Sequence, residues 1–132
     1  MTRHQLSFGT IDILQANIAE VIIDEGVEMT LSMVNDYHQF LKTHLQSPFA
    51  LLINKVNPYS YTYEAQKVIA TLTEIAVMAV VTYRDVTQAA TEHLIQVPRD
   101  VAWNIQLFSD RSLALAWLME QVKTVERQDC AS

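Results

Sequence analysis

The chain has 132 residues, a net charge of −6 and a single cysteine, and half of its residues are hydrophobic. These values are typical of one globular domain, 1–132, that buries roughly two-thirds of its unfolded surface. The acidic charge argues against nucleic-acid binding, no apolar run reaches the roughly 18 residues that cross a bilayer, and the N-terminus lacks a secretory signal, so we expect a cytoplasmic protein.

The N-terminal part of the chain predicts a β-hairpin followed by a helix. Gln5–Leu14 and Ile18–Ile23 are β-rich runs separated by a short break, which favours an antiparallel pair. Val27–Met29 leads into a helix for which Thr30 is a suitable N-cap. Apolar residues at helical spacing continue that helix to about Leu45.

The rest of the chain predicts three strands that alternate with helices. The strands are expected at Phe49–Ile53, Ala76–Tyr83 and Trp103–Phe108. The helices are expected to begin near Thr62, at Asp85, and at Ser109 or Asp110. Residues 56–60 contain Pro58 and are predicted to be a loop, and the polar tail from about Arg127 is expected to be disordered.

The element order is therefore ββαβαβαβα, which indicates an α/β fold. Phe49–Ile53 is apolar at every position, which is typical of a central strand covered by helices on each side. Alternating strands and helices favour right-handed crossovers between parallel strands, and the first hairpin must add an antiparallel strand. We therefore expect a mixed, mainly parallel sheet of about five strands with helices on both faces.

One edge of this predicted sheet gathers most of the polar residues that could form a site. The carboxyl ends of parallel strands meet at one edge, where helix N-termini also offer N–H donors, so a small anion, a carboxylate or a phosphorylated group could be held there. The side chains expected at this edge are Asn54, Lys55, Tyr59, Ser60, Thr62, Tyr83, Arg84 and Arg111. The alternative is that these residues are solvated or cap helices.

Three strings in the chain resemble a known family. ALLINKVNPYSYTYEAQKVI, MAVVTYRDVTQAATEHLIQVPRD and WNIQLFSDRSLALAWL are similar to segments of the SpoIIAA-like bacterial proteins, which have a STAS-type fold. The resemblance covers roughly residues 18–122. It implies a domain that works by binding, as anti-sigma-factor antagonists do, and a layout shared with the CRAL-TRIO lipid carriers.

The resemblance also implies a phosphorylation site that this chain lacks in its usual form. Regulatory STAS domains carry an Asp-Ser pair where the helix after the third strand begins, and a kinase phosphorylates that Ser. The corresponding turn here is Tyr59 to Glu64, without an Asp-Ser pair and without Gly. Ser60 and Thr62 are the nearest hydroxyls and are the phosphorylation candidates.

No catalytic motif can be recognised in the sequence. His38 and His44 are not spaced to share a helix face, so they do not predict a metal site, and HExxH, GxSxG, CxxC and P-loop strings do not occur. We expect no cofactor and no enzymatic activity. The first hypothesis is a regulatory or binding module that engages a protein partner or a second copy of itself at the strand ends. The alternative is a carrier or sensor of a small amphipathic, anionic or lipid-like ligand, which would require a deep apolar pocket.

Overall fold

The computed structural model describes residues 2–69, 71–72, 74–84, 89, 91–92 and 105–131. Six of its strands form one sheet in the order β1–β2–β3–β5–β7–β8. Their bounds are β1 Thr2–Leu6, β2 Gly9–Gln15, β3 Ile18–Ile23, β5 Phe49–Lys55, β7 Ile75–Thr82 and β8 Ile105–Phe108. The sheet is antiparallel from β1 to β3 and parallel across β3, β5, β7 and β8. The expected mixed α/β sheet is therefore confirmed, but in the described residues it contains six strands, where about five were predicted.

The additional strand arises because Gln5–Leu14 is not one run. The chain turns at residues 7–8, where Phe8 is 1% exposed and its carbonyl accepts a hydrogen bond from the Asp24 amide at 2.9 Å. β2 begins at Gly9. Glycine is required at this position, because a Cβ there would lie 2.2 Å from the carbonyl oxygen of Ile22. The alternation of apolar residues is similar on both sides of this turn, so the periodicity of the sequence predicted one strand where the structure has two.

Three helices whose full bounds lie in the described ranges cover the sheet, and each begins at a predicted cap. They are α1 Leu31–His44, α2 Tyr63–Val68 and α3 Arg111–Ala131. The side chains of Thr30 and Thr62 accept hydrogen bonds from the third residue after each, and Asp110 accepts from the amides of Ser112 and Leu113. The α3 helix continues through the polar tail to Ala131, since its last residues include Lys, Glu, Arg and Gln, which favour helix, and no Gly or Pro.

The two faces of the sheet carry separate hydrophobic cores, as expected for helices on both sides. On one face, buried residues of β3, β5 and β7 pack with Val34 and Leu41 of α1 and Ala65 of α2. On the other face, Ala114 and Leu118 of α3 pack against the alternate residues of the same strands. These cores are called the α1/α2 face and the α3 face below.

A second, two-stranded sheet forms where a loop was expected. Here β4, Glu28–Met29, pairs in parallel with β6, Ser60–Tyr61. The Ser60 amide donates to the carbonyl of Val27 at 3.0 Å, and the Thr62 amide donates to that of Met29 at 2.9 Å. These bonds fix the segment between β5 and α2 against the α1/α2 face.

The C-terminal half of the sheet agrees with prediction where it is described. Within the predicted strand Trp103–Phe108, residues 105–108 form β8 at one edge of the sheet, as expected for a half-exposed strand. The predicted helix from Asp85 lies mostly outside the described residues, and of its length Ala89, Thr91 and Glu92 are described as helical. None of the helices in the described ranges is both long and apolar enough to cross a membrane.

Candidate functional site

The predicted edge of the sheet divides into two sites, because β5 continues two residues further than its apolar run. Asn54 and Lys55 belong to the strand itself. Successive side chains of a strand point to opposite faces, so Asn54 lies on the α3 face with Leu52, and Lys55 lies on the α1/α2 face with Ile53. Residues that were expected to converge are therefore separated by the sheet.

On the α3 face, four polar side chains form a hydrogen-bonded network. Arg111 donates from Nε and Nη2 to the two carboxylate oxygens of Glu20, at 2.9 and 2.6 Å. Asn54 Nδ2 donates to Glu20 Oε2 at 2.9 Å, and the hydroxyl of Tyr83 donates to Asn54 Oδ1 at 2.8 Å. Arg111, the predicted anion ligand, thus already holds a carboxylate of its own chain.

The carboxylate of Glu20 is the centre of this network and was not among the predicted site residues. It is 7% exposed, and the hydrogen bond from Arg111 lowers its pKa below the usual value, against the opposing effect of burial. The available signal was a single acidic residue in the apolar run Ile18–Ile23. A buried carboxylate requires a partner, but the sequence does not indicate that the partner is Arg111.

On the α1/α2 face, an apolar pocket lies between the sheet and the helices. The void has a volume of about 490 Å³ including the part that is open to solvent, of which about 30 Å³ can be occupied by the centre of a water molecule. Its apolar lining comes from all the elements that meet there, namely Val21, Ile23, Met29, Ile53, Ile69, Met78, Val80 and Ile105. The buried helical residue Thr91 also lines it.

Besides Thr91, the polar groups in the described lining of the pocket are an ammonium and phenols. Lys55 Nζ lies 5.3 Å from the ring centroid of Tyr59 and 5.9 Å from that of Tyr61, and the hydroxyls of these two tyrosines are 3.2 Å apart. Tyr37 of α1 also lines the pocket and is 3% exposed. Within the described part of the chain, no carboxylate forms an ion pair with Lys55.

Burial sets the protonation states of these groups. It lowers the pKa of Lys55 to about 8, so the amine is still mostly protonated at neutral pH. It raises the pKa of Tyr61 to about 12 and those of Tyr37 and Tyr59 further above the usual value. The described lining of the pocket therefore presents one cation and neutral hydroxyls near pH 7.

The remaining predicted residues lie outside both arrangements. Ser60 is exposed, and Thr62 caps α2 through its side-chain oxygen, 3.2 Å from the amide nitrogen of Ala65. Arg84 is exposed. Phosphorylation at Ser60 or Thr62 stays a prediction.

The pocket could be predicted only in part from the sequence. Lys55 and Tyr59 were expected site residues and do line it together. Tyr37 was not found, because its position among apolar residues of α1 is equally typical of a core aromatic residue. Tyr61 lies beside Tyr59 because β6 pairs with β4, whereas Tyr63 is 67% exposed at the start of α2.

Comparison of the chain with protein-family models, with curated proteins and with solved structures gives no match. Among the residues that the structure describes, no group of three or more His, Cys, Asp or Glu side chains could hold a metal ion. The pocket and the network are therefore the features of this chain that bear on its function.

Proposed function

We propose that this protein is a non-catalytic module that binds a small amphipathic molecule in the pocket of the α1/α2 face, as a carrier or sensor. The observation that carries the proposal is the composition of the pocket, whose apolar walls end at Lys55 without a carboxylate partner in the described chain. An apolar cavity with a few convergent polar groups is the usual form of a small-molecule site.

The walls of the pocket favour an apolar body on the ligand. Side chains of β3, β5, β7 and β8 form its floor, and Met29 and Met78 are flexible enough to adapt to different shapes. Among the described residues, the polar lining consists of Lys55, Thr91 and the tyrosines. A ligand with one apolar and one polar end therefore matches the distribution of the lining.

The size of the pocket favours a short ligand. A water molecule needs about 10–15 Å³ of the space open to its centre, so 30 Å³ corresponds to about two or three water positions. A long-chain lipid would have to extend through the open side. The lipid-carrier form of the hypothesis is thus less well supported than a small amphipathic ligand.

The described lining of the pocket supports a binding role, because Lys55, whose pKa burial lowers to about 8, is its one group that titrates near neutral pH and has no second such group beside it to complete an acid–base pair. Of the described side chains that line it, none is a carboxylate or an imidazole, and the phenols have pKa values raised above their usual range by burial. General acid–base catalysis works best with groups that titrate near the operating pH.

The STAS-type assignment is part of this proposal. A mixed sheet with parallel central strands and helices on both faces supports it, as do the strings that resemble the SpoIIAA-like proteins. In that case, the pocket beside the turn of Tyr59 to Glu64 would lie next to the segment that regulatory relatives phosphorylate.

Ligand-induced stabilisation of two matched variants would test the pocket. Ile105 and Leu107 lie on the same face of β8 and are both partly buried, but only Ile105 lines the pocket. We expect small amphipathic compounds to raise the thermal unfolding midpoint of the wild type and of Leu107→Trp, while Ile105→Trp, whose indole fills the pocket, loses the shift. Equal shifts in both variants would place the ligand elsewhere, and no shift with any compound would contradict the proposal.

A second candidate function, binding of a protein partner or a second copy at the strand ends, is favoured by a separate observation. Five large apolar residues of the described chain are exposed, and all lie at the edge where the parallel strands end. Val56 and Tyr83 directly follow strands, and Leu31, Tyr63 and Leu113 lie in the first turns of helices. Large apolar side chains that are exposed at one edge of a sheet are candidates for an interaction surface. Sedimentation velocity over a range of concentrations, with Leu113→Asp as the disrupting variant, tests self-association; a monomer at all concentrations would leave only a different protein as partner.

A further inference from the structure

We infer that the polar end of the bound molecule is a single carboxylate, held by the Lys55 ammonium and by the hydroxyls of Tyr37 and of the Tyr59–Tyr61 pair. This inference rests on the proposed function and names the ligand class of the same pocket. Two properties of the lining lead to it: its charge and its unused hydrogen-bond donors.

The charge of the pocket calls for one negative charge. The Lys55 ammonium is half-buried, and within the described chain no carboxylate pairs with it. Moving a charge out of water is unfavourable unless an opposite charge accompanies it. A monoanion balances the ammonium, whereas a phosphate dianion would leave an excess negative charge among apolar side chains.

The position of Lys55 also excludes cationic ligands. Aromatic rings can bind an ammonium over their faces, and a cluster of tyrosines would otherwise suit a quaternary amine. Here Nζ of Lys55 already lies within 5.3 and 5.9 Å of the Tyr59 and Tyr61 centroids. A second cation in the pocket would be repelled by the first.

The hydroxyl groups supply donors that no described group uses. The bond between Tyr59 and Tyr61 takes the hydrogen of one hydroxyl, so the other hydroxyl can still donate. Tyr37 is 3% exposed, and its hydroxyl has no hydrogen-bond partner among the described residues. Buried hydroxyls in native proteins are nearly always hydrogen-bonded, so these donors are available to an acceptor on the ligand.

A carboxylate fits this donor set better than a neutral polar group. It only accepts hydrogen bonds, with about four acceptor positions on its two oxygens. An amide or alcohol would accept from the same donors but would leave the charge of Lys55 unbalanced. Hydrogen bonds in which the donor or the acceptor is charged are also roughly twice as strong as neutral ones.

The experiment compares butyrate with butyramide and butan-1-ol by isothermal titration calorimetry. The three probes have similar apolar bodies, so a difference in affinity reports the polar end. We expect butyrate to bind the wild type at least about tenfold more tightly than either neutral probe, since a charge-assisted bond is worth more than a neutral one. The acids from acetate to octanoate, measured in the same way, cover the range of lengths that the pocket could accept.

Variants then assign the interaction to the named residues. Lys55→Met, which keeps the length of the stem and removes the charge, should weaken butyrate binding by about tenfold or more and leave butan-1-ol unchanged; Lys55→Arg should restore part of the loss. Tyr37→Phe should weaken butyrate several-fold. Lys42→Met, at an exposed position of α1, is the matched control and should not change either affinity.

The outcomes separate this inference from the proposed function. If butan-1-ol or butyramide binds as tightly as butyrate, and Ile105→Trp abolishes that binding, the carboxylate is wrong but the pocket is a ligand site. Unchanged butyrate affinity in Lys55→Met also overturns the inference, and the comparison of probes on the wild type decides the case even if a variant fails to fold. If no probe of any length binds, both the inference and the proposed function fail.

Discussion

The network of the α3 face makes a quantitative prediction about stability. In Arg111→Ala, the Glu20 carboxylate loses both hydrogen bonds of the guanidinium and keeps only the bond from Asn54. The carboxylate stays buried, because the strand that carries it lies in the middle of the sheet between β2 and β5. The substitution therefore leaves a charge in an apolar environment with one neutral donor.

The expected loss lies below that of a fully buried pair. Removing one partner of a fully buried ion pair costs about 3–5 kcal/mol. Here the side chain of Glu20 is 8% exposed but that of Arg111 is 41% exposed, so solvent already screens part of the interaction. We expect Arg111→Ala to lower the free energy of unfolding by about 2 kcal/mol, which is a large part of the roughly 5–15 kcal/mol of a typical domain.

Urea unfolding followed by circular dichroism measures this change. With a slope of about 1–3 kcal/mol per M, the midpoint should fall by about 1 M. Arg84→Ala is the matched control, because Arg84 is an exposed arginine at the same edge of the sheet, and its midpoint should stay within about 0.3 M of the wild type.

The pH dependence distinguishes the ion pair from a general packing effect. The pKa of Glu20 is lowered in the folded protein, so its contribution to stability is present above the unfolded pKa of 4.5 and is lost as the pH falls through the folded value. The difference between wild type and Arg111→Ala should therefore be largest near pH 7 and should shrink below pH 4.5. A difference that is independent of pH, or a loss at pH 7 no larger than that of Arg84→Ala, would refute the reasoning.

Three further predictions concern the folded chain and the pocket. Gly9→Ala should lower the free energy of unfolding by about 2 kcal/mol, because its Cβ would lie 2.2 Å from a backbone oxygen. Gly26→Ala, at φ 78 with nothing within 4 Å of the added Cβ, should lower it by only about 1 kcal/mol. Thermal unfolding of both variants tests this, and the reverse order would contradict the close approach at Gly9. Burial lowers the pKa of His38 to about 4, so the free energy of unfolding should decline as the pH falls from the unfolded pKa of 6.5 towards 4. His38→Leu should remove that part of the decline, which urea titrations at pH 7 and pH 5 would measure. Since burial also lowers the pKa of Lys55 to about 8, butyrate affinity should decrease above pH 8 in the wild type and should not change there in Lys55→Met.

Several elements of the fold follow directly from local sequence. The apolar runs of β5 and β7 predicted their places inside the sheet, and Thr30, Thr62 and Asp110 predicted the starts of the helices. Each of these signals is carried by residues within a few positions of one another. The turn before Gly9 was not predicted, because what requires glycine there is a contact with Ile22 on the next strand.

The candidate site depends much more on contacts between distant residues. Glu20 and Arg111 are 91 positions apart, and nothing in either neighbourhood names the other as partner. Tyr37 reaches the pocket from α1, and Tyr61 reaches it because of a strand pair that is only two residues long. The sequence could place Lys55 at the correct edge of the sheet, but the face it occupies depends on where β5 ends.

The neighbouring positions of Asn54 and Lys55 also restrict how this chain can change in evolution. Deleting one residue from Phe49–Ile53 would turn both side chains over, moving the lysine beside Arg111 and the amide into the pocket. Both sites would be lost at once, although they share no side chain. Homologues should therefore vary freely in the length of their loops while keeping the number of residues in this strand constant. An insertion or deletion within the strand should be found only where both the Glu20 network and the pocket lysine have been replaced.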